Sequence, residues 1–168
     1  EGSIGESNHL SANLGYPLLG VQRLTDPRLG RGALLDLGIY LIHFARMIFG
    51  TEIKNVQASC VLHENGVDMS DSITLEFEGG RMAVLHSGIG SVFNRKGVLF
   101  GEKGYMEITN VNNPENVEVY DQRDRLIGRS SRLCRLQDWN MKWKAAAGQS
   151  KTGGKNVRNC PMKRQWMF

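Results

Sequence analysis

Apolar and polar residues follow two rhythms along this 168-residue chain. From Ala33 to Phe49 the apolar positions recur with helical spacing, and Gly50 is suited to end that helix in a left-handed conformation. Residues 17–32 are interrupted by prolines and glycines, which predicts a loop before the helix. Most of the remaining chain, to about residue 127, alternates apolar and polar residues in the manner of β-strands.

The strand pattern is clearest where a hairpin is predicted. Ile73, Leu75 and Phe77 share one face, and Gly79-Gly80 turn the chain back. The strand-forming stretches are residues 7–16, 54–63, 71–90, 97–109 and 115–128. One long helix followed by an antiparallel meander predicts an α+β fold, with the helix packed on one face of an open, predominantly antiparallel sheet.

The sheet face that the helix leaves free is predicted to carry apolar side chains. A face of that size is costly to leave in water, so we expect a homodimer formed through it. The alternative is a mixed, solvated face, which antiparallel sheets tolerate.

Composition changes sharply near Gly128. Residues 129–168 hold 10 of the 21 Lys and Arg but only 1 of the 17 Asp and Glu, so residues 1–128 carry a net charge of −5. The basic segment is typical of a nucleic-acid-binding arm or of disorder. Because the body of the domain is acidic, we expect no nucleic-acid partner. We therefore predict a domain over residues 1–128 and a separate basic tail.

Two further patterns bear on the compartment. Three widely spaced cysteines favour reduced thiols in a cytoplasmic protein. The most apolar stretch, residues 30–50, is interrupted by Asp36, His43 and Arg46, which favours a buried helix over a membrane span. The four histidines show no metal-ligand spacing, so no metal site is predicted.

A polar stripe runs along the predicted helix. Asp36, Tyr40 and His43 lie at steps of four and three, which places them on one helical face. Polar side chains on such a helix require water, a polar partner or a ligand. The structural alternative is that Asp36 caps the helix and Tyr40 is a half-buried core residue.

The stretch "DPRLGRGALLDLGIYLIHFARMIFG" resembles a characteristic segment of the glucose–fructose oxidoreductase / inositol dehydrogenase family (Gfo/Idh/MocA). It is most similar to the branch that contains dimeric dihydrodiol dehydrogenases. "GSIGESNHLSANLGY", "DSITLEFEGGRMAVLHSGI", "GVLFGEKGYMEITNV" and "VEVYDQRDRLI" resemble strands of the family's C-terminal domain. The resemblance implies that domain, which lines the active site opposite an NAD(P)-binding Rossmann domain.

The resemblance also implies roles for residues. Asp36 and Tyr40 match positions that line the reaction centre, with Tyr40 the candidate acid/base and Asp36 orienting the substrate or the proton relay. His43 and Arg31 are candidate substrate-binding residues. His43 lies outside the strict pattern and has packing as its alternative role, while Arg31 stands where relatives often carry glycine.

The cofactor half of the family pattern is not found in this sequence. No G-x-G-x-x-G follows a predicted strand, and no E-K-P lysine is present to activate Tyr40. We therefore expect a fragment of an NAD(P)-dependent oxidoreductase acting on a hydroxyl or carbonyl of a sugar, polyol or dihydrodiol. It is expected to bind no NAD or NADP alone, and to be inactive unless a separate Rossmann-domain chain joins it. The alternative is a non-catalytic dimerisation or binding module.

The basic tail is predicted to be a frameshift product. Back-translation of residues 139–168, read one base earlier, permits a sequence that resembles the family's own continuation. Side chains that were never selected to pack have no reason to be buried, so residues from about 135 onward are expected to be poorly ordered.

Overall fold

A single mixed sheet forms the framework of the computed structural model, which describes residues 3–29 and 32–131. Its eight strands are β1 (Ser7–Gly15), β2 (Ile53–Leu62), β3 (Asp68–Phe77), β4 (Arg81–Gly88), β5 (Gly97–Gly101), β6 (Gly104–Thr109), β7 (Asn116–Asp121) and β8 (Leu126–Ser131). The helices are α1 (Gln22–Thr25) and α2 (Ile39–Phe49), with a π-helical segment at Leu34–Gly38 that runs directly into α2 and 3₁₀ turns at Pro27–Leu29 and Glu78–Gly80. The α+β class predicted from the sequence is confirmed.

The strands do not form one continuous meander. The order is β2-β3-β4-β1-β5-β6-β7-β8, so β1 lies between β4 and β5 and runs parallel to β4. All other neighbouring strands are antiparallel. The meander prediction was wrong at this point because alternation identifies strands and not their neighbours. The connection over residues 89–96 is too long for a tight hairpin, and it crosses β1.

The predicted hairpin around the Gly79-Gly80 turn is present. Gly79 and Gly80 have φ values of 75° and 71°, a conformation that glycine adopts without strain. The register pairs Phe77 with Arg81 and Ile73 with Leu85. The loop predicted at residues 17–32 differs, because it contains the short helix α1.

The core lies between the sheet and the helix. Apolar side chains from alternate positions of β1, β3, β4 and β5 form one core with those of α2, and the largest are fully buried: Leu10, Leu14, Leu41, Phe77, Leu85 and Leu99. Phe49 and Phe77 contact edge to face, with ring centroids 5.5 Å apart. This contact fixes the C-terminal end of α2 to the sheet.

The opposite face of the sheet, called here the open face, is mixed. Phe100, Tyr105 and Tyr120 form an aromatic row across β5, β6 and β7, with centroids 6.4 and 4.9 Å apart. The Tyr120 hydroxyl donates to Glu118, and this bond raises the pKa of Tyr120 to about 12. Elsewhere the open face combines polar residues such as Asn13, Ser72 and Thr74 with the apolar Val84 and the charged Glu107.

Among the described residues, Pro27–Phe49 is long and apolar enough to cross a membrane, and half of it is buried within the domain. Its buried side forms the core described above. The last strand, β8, runs to Ser131, beyond the domain boundary predicted at residue 128. The predicted tail from residue 132 onward lies outside the described residues.

Candidate functional site

The helix that carries the predicted site begins against a carboxylate from the sheet. Asp68 Oδ2 on β3 accepts a hydrogen bond from the Leu34 backbone N–H at 2.6 Å. Gly32 is buried beside Asp68, and a Cβ at that position would collide with the Asp68 carboxylate. The glycine of "GRGALLD" therefore permits a charge-assisted cap that satisfies a free N–H of the helix start.

The first turn of the helix is widened. Leu34–Gly38 is π-helical, with the Ile39 N–H reaching back to the Leu34 carbonyl. Gly38 lies against the sheet, where an added Cβ would be 3.0 Å from Ser87 Oγ. The widened turn holds one more residue than an α-turn, and such insertions are frequent at functional sites. The sequence could not predict this π-helical turn, because so short a segment shows no periodicity in its side chains.

Asp36 lies within the π-helical segment and is held from outside the helix. Arg23 Nη1 is 2.6 Å from Asp36 Oδ1, and the Asp36 side chain is 14% exposed. Arg23 comes from α1, which is fixed by the fully buried Leu24 and by a 2.7 Å hydrogen bond from Asn65 Nδ2 to the Thr25 carbonyl. The sequence analysis missed Arg23, because the loop pattern around Arg23 does not indicate that its side chain contacts Asp36.

The remaining site residues lie on the accessible side of the helix. Tyr40 is 55% exposed, and His43 is exposed as well. Among the described residues no hydrogen bond engages the Tyr40 hydroxyl. Tyr40 is therefore about half buried, and it does not belong to the buried core cluster. Arg31 lies outside the described residues.

Comparison with known proteins decides the family. The family model for the GFO/IDH/MocA C-terminal domain matches residues 1–107. The chain belongs to this family. Among curated proteins, the chain is similar to a trans-1,2-dihydrobenzene-1,2-diol dehydrogenase from Xenopus laevis. The two are 39% identical over 107 residues, which cover 63% of this chain and 32% of that protein. A scyllo-inositol 2-dehydrogenase (NADP(+)) from Bacillus subtilis is 32% identical over 101 residues, covering 60% and 30%.

Solved structures show the same GFO/IDH/MocA fold. A 3-ketoreductase from Actinomadura kijaniata in complex with TDP-benzene and NADP has a TM-score of 0.67 at 22% identity, covering 86% of this chain and 45% of that one. An aldose-aldose oxidoreductase from Caulobacter crescentus complexed with glycerol has a TM-score of 0.65 at 20% identity, covering 86% and 45%. The chain thus spans about a third of the curated relatives and under half of these structures.

A second acid of this GFO/IDH/MocA domain lies beneath the helix. Asp71 is 8% exposed, and its Oδ2 accepts a 2.9 Å hydrogen bond from Ser87 Oγ. Burial raises the pKa of Asp71, and the nearby charge of Asp68 raises it further, while the Ser87 bond lowers it. The pair therefore ties β3 to β4 directly under the segment that carries Asp36.

The start of the site helix does not fit the pyrophosphate of a dinucleotide. The N–H of Leu34, at the start of the site helix, is already bonded to the Asp68 carboxylate, whose charge would repel a pyrophosphate. Among these residues no group of three His, Cys, Asp or Glu could hold a metal ion. Within the described residues, the site helix and its first turn offer three groups that can bind or exchange protons. They are the Tyr40 phenol, the Asp36 carboxylate in its salt bridge, and the His43 imidazole.

Proposed function

We propose that this domain forms one wall of the active site of an NAD(P)-dependent oxidoreductase, with Tyr40 and Asp36 facing the reacting group. The observation that carries this is the exposure of Tyr40 on a helix whose opposite side is buried in the core. Leu35 and Ile39 beside it are 60% and 38% exposed. An apolar surface rimmed by polar side chains is typical of a face that another domain covers.

Tyr40 exchanges a proton with the substrate oxygen in this proposal. A free phenol has a pKa of about 10 and exchanges protons poorly at neutral pH, so the facing domain must bring a cation close to it. Asp36, oriented by Arg23, accepts a hydrogen bond from a neighbouring substrate hydroxyl. The nicotinamide on the facing domain supplies or accepts the hydride.

The substrate class is an alcohol or ketone of a sugar, polyol or dihydrodiol. The named relatives act on compounds with adjacent hydroxyl groups, which suits a site that offers a phenol and a carboxylate. His43 and Arg31 are proposed to contact the hydroxyl groups that do not react. The exposure of His43 on the same helix as Tyr40 supports this role.

The chain alone is proposed to be inactive and to bind neither NAD nor NADP. Mixing it with the nucleotide-binding domain of the Xenopus laevis relative is expected to produce dihydrodiol-dependent reduction of NADP, followed by absorbance. Ile39→Glu should abolish this activity, because it places a charge in the apolar contact. Val92→Glu is the matched control, since Val92 is 79% exposed in the loop between β4 and β5.

Dihydrodiol oxidation by the chain without the second domain would overturn the inactivity proposal. Failure of every mixture, with both domains folded by circular dichroism and binding each other, would overturn the assignment of the catalytic residues. If the chain is instead a non-catalytic dimerisation or binding module, every mixture should be inactive even though the two domains are folded and bind each other.

We also propose a homodimer through the aromatic row of the open face. Phe100 is 42% exposed, and aromatic side chains are enriched at the cores of protein interfaces. Tyr105→Lys is expected to convert the dimer into a monomer in sedimentation velocity, while Gln57→Lys, on β2 of the same face, should not. A wild-type chain that sediments as a monomer at high micromolar concentration would contradict this proposal.

The exposed Cys60 thiol fits the reducing cytoplasm.

A further inference from the structure

The turn between β2 and β3 reaches the candidate site at two points. Asp68, the first residue of β3, accepts a 2.6 Å hydrogen bond from the Leu34 N–H at the start of the site helix. Three residues earlier, Asn65 Nδ2 donates to the carbonyl of Thr25, the last residue of α1, at 2.7 Å. The site helix and α1 are therefore both held by one short segment, residues 63–68, called here the β2–β3 turn.

The β2–β3 turn holds the Asn65 amide in one orientation. Asn65 Oδ1 accepts from the Val67 N–H at 3.2 Å, which leaves the NH₂ group to bond α1. The His63 N–H closes the turn by donating to the Val67 carbonyl at 2.8 Å, and Gly66 bends the chain with a φ of 88°. Because the Val67 side chain is buried, the whole turn is fixed to the body of the domain.

The short helix α1 depends on this contact. It has four residues and one buried side chain, that of Leu24, so its own hydrogen bonds do little to hold it in place. A helix attached at one point can rotate about that point, and the neighbouring Arg23 would move with it. The bond from Asn65 to the Thr25 carbonyl supplies a second point of attachment and fixes the rotation.

The salt bridge between Arg23 and Asp36 cannot supply that geometry by itself. The Arg23 side chain is 50% exposed, and an ion pair in contact with water contributes little while restricting a long side chain. The direction of the Arg23 guanidinium is therefore set mainly by where α1 holds its backbone. The contact made by Asn65 is what holds α1 in that direction.

We propose that Asn65 is a positioning residue of the site, which holds α1 so that Arg23 keeps Asp36 directed at the substrate. This inference rests on the proposed function, in which Asp36 accepts a hydrogen bond from a substrate hydroxyl. Asp68 attaches the start of the site helix independently of Asn65. Loss of the Asn65 contact should therefore turn Arg23 away from the carboxylate and leave the helix in place.

Asn65→Asp in the full chain tests the contact without any assay of activity. Aspartate keeps an acceptor for the Val67 N–H, but it loses the donor and sets a carboxylate against the Thr25 carbonyl oxygen. ¹⁵N NMR of the Arg23 guanidinium measures its hydrogen exchange, which a salt bridge slows. We expect exchange in Asn65→Asp to be as fast as in Asp36→Asn, and slower than both in the wild type.

The matched control is Glu64→Gln, which also changes one charge in the β2–β3 turn, at an exposed side chain. It should leave the exchange of the Arg23 guanidinium at the wild-type rate. Wild-type exchange in Asn65→Asp, with the chain folded by circular dichroism, would overturn the proposal. Equally fast exchange in Glu64→Gln would also overturn it, because the effect would then come from the charge of the turn and not from the Asn65 donor.

Activity of the two-domain mixture supplies the second test. Asn65→Asp is expected to raise KM for the dihydrodiol about tenfold, because a ground-state hydrogen bond to the substrate is misdirected, while kcat and its pH profile stay unchanged. Arg23→Ala should have the same effect, and the double variant should be no worse than either. A purely structural role of Asn65 predicts additive losses instead, and additive losses would overturn the proposal.

The two tests also separate this inference from the proposed function. If the wild-type mixture is inactive although its domains are folded and bind each other, the proposed function fails. The exchange of the Arg23 guanidinium in Asn65→Asp then decides by itself whether Asn65 positions the Arg23–Asp36 pair.

Discussion

Replacing Tyr40 with phenylalanine is expected to lower kcat of the two-domain mixture by about 10²–10⁴-fold, the range that one acid/base group contributes. KM should change little, because the ring and its contacts remain. The loss follows from removing the only proton that this side chain can exchange with the substrate oxygen. The measurement is steady-state NADP reduction with saturating dihydrodiol, with Tyr105→Phe on the open face as the matched control.

The same substitution separates two accounts of the exposed phenol. If Tyr40 served only to contact the facing domain, phenylalanine would preserve most of the activity, and the loss would appear as weaker association between the domains. A kcat within threefold of wild type at saturating partner domain would remove Tyr40 from the chemistry.

Phe77→Ala is expected to lower the free energy of unfolding by about 3–5 kcal/mol, as large-to-small substitutions of buried phenylalanine do. Phe77 is 2% exposed and contacts Phe49 at the end of α2, so its loss leaves a cavity where the helix is fixed to the sheet. Urea denaturation followed by circular dichroism measures the change. Val61→Ala, at a residue that is 65% exposed, should alter stability by less than about 0.5 kcal/mol.

A change below about 1 kcal/mol for Phe77→Ala would mean that the helix is attached to the sheet mainly elsewhere. The cap from Asp68 to Leu34 would then be the stronger attachment. Both attachments matter for function because they set the direction in which the helix presents Asp36 and Tyr40.

The sequence predicted what local patterns encode. Helical spacing placed the helix at Ala33–Phe49, and alternation placed the strands to within a few residues, because burial of one side imposes a period on each element. The insertion of β1 beside β4 could not be read this way. It depends on contacts between residues far apart in the chain, such as Leu10 and Ala83, which no local period records.

For the candidate site, helical spacing predicted that Asp36, Tyr40 and His43 share one face, and the family resemblance implied roles for them. These roles remain predictions. The contribution of Arg23 and the π-helical turn depends on how a loop and a sheet meet the helix.

The central claim is that the exposed side of the site helix faces substrate across from a nucleotide-binding domain. A crystal structure of the chain bound to that domain, with NADP and a dihydrodiol, tests it most directly. The account predicts the Tyr40 hydroxyl within hydrogen-bond distance, about 3 Å, of the substrate oxygen. A complex in which the second domain covers the open face of the sheet, leaving Tyr40 in solvent, would contradict it.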